Sequence, residues 1–280
     1  MSKFASRLLM AALFAGVAAP AFSADIVEPI PYEPAPVVEA PAYNGWYIRG
    51  DVGYRWSDLR GIDYITYGGC GFGCIPGEKS FDKTDLKGAM SFGGGVGYQV
   101  TKYFRTDLTG DYFFDSDFKG QTSDAFSVSV DRSSYSAFML LANAYADLGT
   151  YSGFTPYVGF GIGGAHVKWD DLRNTIEPNI DNYHKGASGW RFAYALMAGG
   201  SYCLTDRLTL DGGYRYSHIE GGRMFEEYSS AGVSLGAGPG FDKGFNIHEV
   251  RAGLRYNFGG NQNCAQPVAY EPPADVPVYK

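Results

Sequence analysis

The chain has 280 residues, of which 16% are aromatic and 19% are charged. This aromatic content excludes intrinsic disorder, and the 39 glycines do not follow the three-residue period of collagen. The formal net charge is -7, which argues against a nucleic-acid partner.

Residues 1–23 have the three parts of a secretory signal peptide. Lys3 and Arg7 supply the basic start, an apolar run follows, and Ala21-Phe22-Ser23 gives the small-x-small cleavage pattern. The apolar run is shorter than the roughly 20 residues that a membrane-spanning helix needs. The sequence therefore predicts an exported protein whose mature chain begins at Ala24, and any membrane crossing must be made by strands.

Nine of the fourteen prolines lie in two terminal stretches, residues 24–44 and 259–280. The first stretch carries four acidic side chains and no Lys or Arg. Such composition favours extended polyproline-like segments that form no core of their own. Residues 45–258 are therefore predicted to form one structural unit between two tails.

Within that unit, every second residue of several segments is apolar or glycine. Arg49, Asp51 and Arg55 occupy the alternate positions of the first segment. A period of two predicts β-strands. A helical period of about 3.6 residues would place the charged Arg251 and the apolar Leu254 on the same side of a helix, so these segments are not amphipathic helices. Eight such segments occur, at residues 45–57, 86–100, 103–114, 134–148, 155–168, 188–205, 207–219 and 247–258.

The connections between these segments alternate between short and long. Three are short turns, and four are long polar stretches at residues 58–85, 115–133, 169–187 and 220–246. Both termini lie on the short-turn side. This arrangement predicts an all-β fold, namely an eight-stranded antiparallel transmembrane β-barrel. The barrel is predicted to lie in the outer membrane of a Gram-negative bacterium, with its Pro-rich N- and C-terminal tails in the periplasm.

A soluble β-sandwich or lipocalin-like barrel is the competing structure, and the polarity of the two faces argues against it. One face carries interspersed charges of both signs, including Lys87, Arg105 and Asp147, and the other is rich in aromatic and aliphatic residues suited to lipid. An eight-stranded barrel is just filled by its own side chains, and opposite charges can pair there. We therefore predict a lumen ion-pair plug of Arg49, Asp51, Arg55, Asp107, Asp111, Arg191, Asp211, Arg215, Glu249, Arg251 and Arg255.

Four features of the sequence resemble a known family. They are the signal peptide, the acidic Pro-rich entry, the predicted first strand, Gly45 to Tyr54, and the predicted last strand, Val250 to Phe258. The chain is similar to the small outer-membrane β-barrel proteins of alphaproteobacteria, related in architecture to OmpA, OmpX and opacity-type barrels. The resemblance implies contact with outer-membrane lipid and lipopolysaccharide, and insertion by the outer-membrane assembly machinery. Family barrels usually end on the last aromatic residue, whereas here 22 residues follow Phe258.

Four histidines are candidates for catalysis or metal binding: His166, His184, His218 and His248. His166 and His218 lie near predicted strand ends, with Asp170 and Ser217 nearby in sequence. No enzyme motif surrounds them, and no pair has metal-ligand spacing on one face. We therefore predict no enzymatic activity, no cofactor and no metal site.

The four cysteines are predicted to form two disulfides, because the chain is exported to an oxidising compartment. Cys70 and Cys74 share a Gly-rich loop and are the natural local pair. Cys203 precedes a short turn and Cys264 follows the last strand, so both lie at the same end of the barrel.

The predicted function is a structural, envelope-stabilising role, and the alternatives are a small porin or a surface adhesin acting through the long loops. The new N-terminus resembles that of family members that are linked to peptidoglycan. Its α-amine has a pKa of about 7.7 to 8.0, so more of it is unprotonated at neutral pH than of a lysine side chain. We therefore also predict that Ala24 is a peptidoglycan attachment site.

Overall fold

The computed structural model describes residues 45–66, 77–123, 128–176, 180–226, 229–230, 233–234, 237–261 and 263–264. None of these residues forms a helix that is long and apolar enough to cross a membrane. Eight long strands dominate the described part of the chain. They are β1 (Trp46–Leu59), β2 (Ala89–Thr101), β3 (Phe104–Ser123), β4 (Val128–Asp147), β5 (Phe154–Trp169), β6 (Ser188–Cys203), β7 (Leu208–Ile219) and β8 (Phe245–Asn257).

The eight strands form a closed antiparallel ring. Each strand pairs with its neighbours in chain order, and the ring closes where β8 pairs with β1, from Tyr47 opposite Asn257 to Leu59 opposite Phe245. Closure satisfies the backbone groups that an open sheet would leave unpaired at its edges. The predicted all-β, eight-stranded barrel is confirmed.

Alternation along each strand separates an inner face from an outer face. In β1, Trp46 is 51% exposed on the outside, while Tyr47 is 0% exposed on the inside. Successive side chains of a strand point to opposite sides, so the same pattern repeats around the ring. The inner face is where the charged residues of the sequence meet.

The four long connections contain more β-structure than the sequence predicts. β3 and β4 continue as a hairpin to Ser123 and Val128, past a bulge between Phe113 and Ser116. Burial still alternates in this extension, where Phe118 is 1% exposed, but the polar residues around it hide the period of two in the sequence. The further strands are Ile62–Thr66, Gly77–Ser80, Lys83–Leu86, Leu172–Ile176, Ile180–His184, Gly222–Phe225, Ser229–Ser230, Val233–Ser234 and Ala237–Asp242.

An apolar cluster, here called the aromatic cap, fills the long-loop end of the ring. Trp169 stacks on Phe245 with ring centroids 5.9 Å apart, and Tyr135 lies 4.8 Å from Phe245. Phe118 and Phe225 pack edge-on against Trp169 at 5.6 Å. Aromatic side chains rather than paired charges therefore occupy most of the long-loop half of the interior.

Lys87, which the sequence assigns to the charged inner face, lies instead on the surface. It precedes β2, its side chain is 57% exposed, and its Nζ lies 2.8 Å from the Asp117 carboxylate. The alternation that places a residue inside or outside applies only within the strand, and β2 begins two residues later.

Candidate functional site

The candidate site is the charged network that fills the short-turn half and the middle of the ring. It brings together residues from five of the eight strands. Its members are Arg49, Asp51, Arg105, Asp107, Asp111, Asp147, Asp211, Arg215, Glu249, Arg251 and Arg255.

Arg215 is the centre of the network. Its guanidinium lies 2.6 Å from the carboxylates of both Asp111 and Glu249. Arg251 reaches the second oxygen of Asp111 at 2.7 Å and Asp51 at 3.4 Å. Four charged groups on three strands, and a fifth on β1, are thus joined by direct ion pairs.

Arg49 continues the network towards the short-turn end. It donates to both oxygens of Asp51, at 2.7 and 2.9 Å, and to Asp107 at 3.1 Å. Its third partner is the hydroxyl of Tyr145, at 3.2 Å. Asn143 also donates to Asp107, at 2.7 Å, so this carboxylate is held from β1 and β4 together.

Two further arginines complete the network at the short-turn end. Arg105 lies 3.1 Å from Asp147 and packs 4.0 Å from the ring centroid of Tyr145. Arg255 lies 3.4 Å from Asp211 and packs 5.3 Å from the ring centroid of Tyr47. Each guanidinium is therefore neutralised by one carboxylate and covered by an aromatic face.

Arg55 and Arg191, which the sequence also assigns to the plug, lie outside this network. Arg55 is buried in the aromatic cap, where it donates to the Tyr135 hydroxyl at 2.5 Å and to the Phe114 carbonyl at 2.6 Å. Among the described residues, no carboxylate forms an ion pair with it. Cation–π contact with the ring of Phe113, 4.8 Å away, compensates part of its desolvation.

Arg191 pairs with a carboxylate that the sequence analysis missed. It donates to both oxygens of Asp242, at 2.8 and 2.7 Å, and to the Arg223 carbonyl at 2.8 Å. Burial raises the pKa of Asp242, and the Arg191 guanidinium opposes that rise. Asp242 belongs to the long connection 220–246, so strand alternation gave no signal for it.

The network leaves little free space. A cavity among Arg49, Asp51, Tyr145 and Asp211 has a volume of about 10 Å³. A single water molecule needs at least about 10 to 15 Å³. Packing is also tight at the glycines: a Cβ added at Gly95 would lie 2.6 Å from the Leu108 carbonyl oxygen. The arrangement can hold charge and resist flow, but it offers no room for a substrate.

Three of the histidines lie on the outer face of the ring. The imidazole of His218 is hydrogen-bonded to Asn246, and the ring of His166 packs 5.5 Å from that of Trp190. Ser217 points inwards, so it lies on the opposite face from His218. In the described part of the chain, no group of three or more His, Cys, Asp or Glu side chains is placed to hold a metal ion.

A disulfide joins Cys203, at the end of β6, to Cys264, beyond β8, with their Cα atoms 5.5 Å apart. The backbone N–H of Asn261, three residues before Cys264, donates to the Asp206 carbonyl at 2.7 Å. The segment after β8 is thereby held against the turn between β6 and β7. Three other predicted site residues, Cys70, Cys74 and Ala24, lie outside the described residues.

Comparisons with known proteins extend over most of the chain. A model of the outer membrane protein beta-barrel domain matches residues 9–258. A protein of Brucella abortus strain 2308 is 39% identical over 284 residues, which cover 91% of this chain and 98% of the relative. Outer membrane protein PagN of Salmonella typhimurium is 30% identical over 195 residues, 63% of this chain and 75% of PagN. Among solved structures, Neisserial surface protein A is similar with 16% identity and a TM-score of 0.44, covering 76% of this chain and 97% of that structure.

Proposed function

The chain belongs to the outer membrane β-barrel protein family, and on that premise we propose that it is a closed structural barrel that stabilises the Gram-negative cell envelope. Its location in the outer membrane follows from the family. The envelope-stabilising role is our proposal, and it includes contact with lipopolysaccharide and insertion by the outer-membrane assembly machinery.

One observation supports a structural role over that of a small porin: the interior is occupied along its length. The charged network fills one half and the aromatic cap fills the other. Paired ions in a narrow, low-dielectric interior are costly to separate, so the network has no easy route to an open state.

Planar bilayer recording tests this part of the proposal. Protein reconstituted into bilayers is expected to give no steady conductance on the nanosiemens scale. Sustained channels of that size, abolished by heat denaturation of the sample, would contradict the closed-barrel proposal.

The second part of the proposal is a covalent tether between the N-terminal tail and peptidoglycan. Gly45, the residue that follows the tail in the sequence, lies at the short-turn end of the ring, where its carbonyl accepts a hydrogen bond from the Gln99 N–H at 2.6 Å. A polyproline-like chain extends about 3.1 Å per residue, so residues 24–44 can reach roughly 65 Å from the barrel. An acyl-enzyme formed by an L,D-transpeptidase on a peptidoglycan stem peptide is attacked by the α-amine of Ala24, which forms an amide and releases the enzyme thiol.

Mass spectrometry of muramidase-released protein tests the tether. In cells with active L,D-transpeptidases, the Ala24 peptide is expected to carry a stem-peptide fragment. A strain that lacks those enzymes provides the control, in which only the free Ala24 amine is expected. If free N-termini alone are found in both strains, the tether is wrong.

A surface adhesin remains a second candidate, and the β-structure of the long connections favours it. A four-stranded sheet built from residues 222–225, 237–242, 62–66 and 77–80 provides an ordered surface beyond the barrel. Binding of labelled bacteria to host cells should then be lost when residues 58–85 or 220–246 are replaced by short turns. Unchanged binding in barrels that still fold would exclude adhesion through these connections.

A further inference from the structure

The short-turn end of the ring carries a surface groove, here called the mouth groove. It is lined by Lys102 and Tyr103, residues 149–153, residues 202–206 and Cys264. All three short turns contribute to it, and these turns follow alternate strands around the ring, so the groove lies across the short-turn mouth of the barrel. Its volume of about 1000 Å³ is at the upper end of the range for ligand sites, which is roughly 300 to 1000 Å³.

Two tyrosines of the mouth groove lie beyond the ends of the strands. Tyr103 is between β2 and β3 and is 54% exposed, and Tyr151 is between β4 and β5 and is 67% exposed. The outward aromatic residues that suit the membrane interface at this end, such as Trp46 and Phe154, are on the strands themselves. In the described part of the chain, neither tyrosine hydroxyl is hydrogen-bonded to another group. The groove therefore presents two aromatic rings and two available hydroxyls to water.

Tyr151 is held in place by a tight hairpin turn. Its N–H donates to the Phe154 carbonyl at 2.8 Å, and its carbonyl accepts from the Phe154 N–H at 2.9 Å. The two central residues, Ser152 and Gly153, have φ angles of 49° and 82°, as a two-residue hairpin turn with positive φ at both positions requires. Behind the turn, the Cys203 N–H donates to the Gly153 carbonyl at 2.9 Å. This wall of the groove is preformed, which lowers the cost of binding to it.

The chain itself brings a proline-rich segment to the edge of the mouth groove. The disulfide fixes Cys264 there, and the Cys264 N–H donates to the Asn261 carbonyl at 2.9 Å. Residues 265–280 continue from this point and contain four prolines and two tyrosines. As a polyproline-like chain they would extend roughly 50 Å at about 3.1 Å per residue, enough to cross the groove. A segment tethered this closely meets the groove at an effective concentration on the order of 1 mM, so weak docking is sufficient.

The chemistry of the groove suits such a segment. A polyproline II chain makes no internal hydrogen bonds, and it docks on aromatic-lined grooves, where tyrosine rings pack on prolines and hydroxyls donate to free carbonyls. The charges are complementary as well. Lys102 lies with its Nζ 4.8 Å from the ring centroid of Tyr103 and forms no ion pair with a described residue, whereas Asp206 has Arg207 beside it at 4.0 Å. Residues 265–280 carry two carboxylate side chains and one lysine.

We propose that residues 265–280 dock in the mouth groove as a polyproline-like segment and cover the short-turn mouth of the barrel. The prolines nearest to Cys264 pack on Tyr103 and Tyr151, whose hydroxyls donate to backbone carbonyls of the segment. The docked segment takes these two rings out of water and covers the charged network from its short-turn side. The proposal does not depend on the N-terminal tether or on adhesion through the long connections.

Photo-crosslinking on the folded full-length barrel tests this inference. A Tyr151→benzoylphenylalanine variant, refolded with its disulfides formed, is irradiated in detergent, and the linked peptides are identified by mass spectrometry. Links from position 151 to residues 265–280 are expected. The matched control is Tyr98→benzoylphenylalanine, because Tyr98 is an exposed tyrosine near the same end of the ring but on the outer face of β2. It is expected to give at least tenfold fewer links to residues 265–280.

Changes in the segment itself separate docking from random contact of a tethered chain. With the crosslinker at position 151, the triple variant Pro267→Gly, Pro272→Gly and Pro273→Gly is expected to lower the yield of links at least fivefold. The matched triple variant, Ala265→Gly, Ala269→Gly and Ala274→Gly, is expected to keep the yield. Equal yields in the two triple variants overturn the proposal. So do links from position 151 to residues 24–44, which are also proline-rich, or to a second copy of the chain in place of residues 265–280. Heat-modifiable gel mobility shows that each variant is folded.

Discussion

Arg215 and Asp111 form an ion pair of 2.6 Å across the full width of the barrel. Arg215 lies on β7 and Asp111 on β3, four strands apart in either direction around a ring of eight. The two side chains together therefore bridge the lumen from one wall to the other. The pair fixes the distance between strands that share no backbone hydrogen bond.

Replacing Arg215 with methionine should destabilise the barrel by about 3 to 5 kcal/mol, because Asp111 and Glu249 would stay buried with one shared partner fewer. Guanidinium unfolding in lipid vesicles measures the change. The matched control is Lys87→Met, which removes an exposed ion pair with Asp117 and should leave the unfolding midpoint unchanged. Equal midpoints for the unaltered protein and the Arg215 variant would show that the network contributes no stability.

Two alanine substitutions on neighbouring strands should have opposite outcomes. At Gly95, a Cβ would lie 2.6 Å from the Leu108 carbonyl oxygen and 2.8 Å from Cγ2 of Thr109, whereas at Gly50 no atom lies within 4 Å. Gly95→Ala is expected to cost about 1 to 3 kcal/mol through overpacking. Gly50→Ala should be neutral or slightly stabilising, because it reduces the freedom of the unfolded chain. The same unfolding assay compares them, and equal effects would mean that the lumen tolerates added volume.

The hairpin beyond the barrel should weaken as the pH rises from about 4 to about 6. Burial raises the pKa of Asp131 from 3.8 to about 6, although Asn174 donates to it at 2.6 Å. Between these values the folded state binds more protons than the unfolded state, so local stability falls with rising pH and is constant above about 6. Hydrogen-exchange protection of residues 128–132 and 172–176, corrected for intrinsic rates, measures this. Asp131→Asn should abolish the pH dependence, and a slope that persists in this variant would assign it to another group.

Reduction should release the segment that follows β8. With the disulfide intact, maleimide should label neither Cys203 nor Cys264, and non-reducing peptide mapping should recover them as one linked pair. After reduction both thiols should react, and proteinase K should remove residues beyond Asn257 faster. The variant Cys203→Ser with Cys264→Ser should behave like the reduced protein. The predicted Cys70–Cys74 pair should appear in the same peptide map, and a free Cys203 beside an oxidised loop pair would show that the tail is not stapled.

Much of the fold could be predicted from the sequence because it depends on local patterns. A period of two along Trp46–Leu59 and Phe245–Asn257 identifies strands, and the alternation of short and long connections implies neighbouring antiparallel pairs. The same alternation assigns Arg49, Asp51 and Arg215 to one face. These features need no knowledge of partners, since the geometry of a strand alone separates its two faces.

Only the tertiary structure decided which charged residues form ion pairs with one another. Alternation places Asp111 and Arg215 on inner faces, but their contact depends on ring closure and on the stagger between all the strands that separate them. Asp242 gave no signal, because it reaches Arg191 from a long connection whose path no local pattern sets. The aromatic cap escaped prediction for a related reason. In β4, for example, the inward Met139 and Leu141 alternate with the outward Phe138 and Leu140, so composition could not distinguish the side facing lipid from the side that fills the barrel.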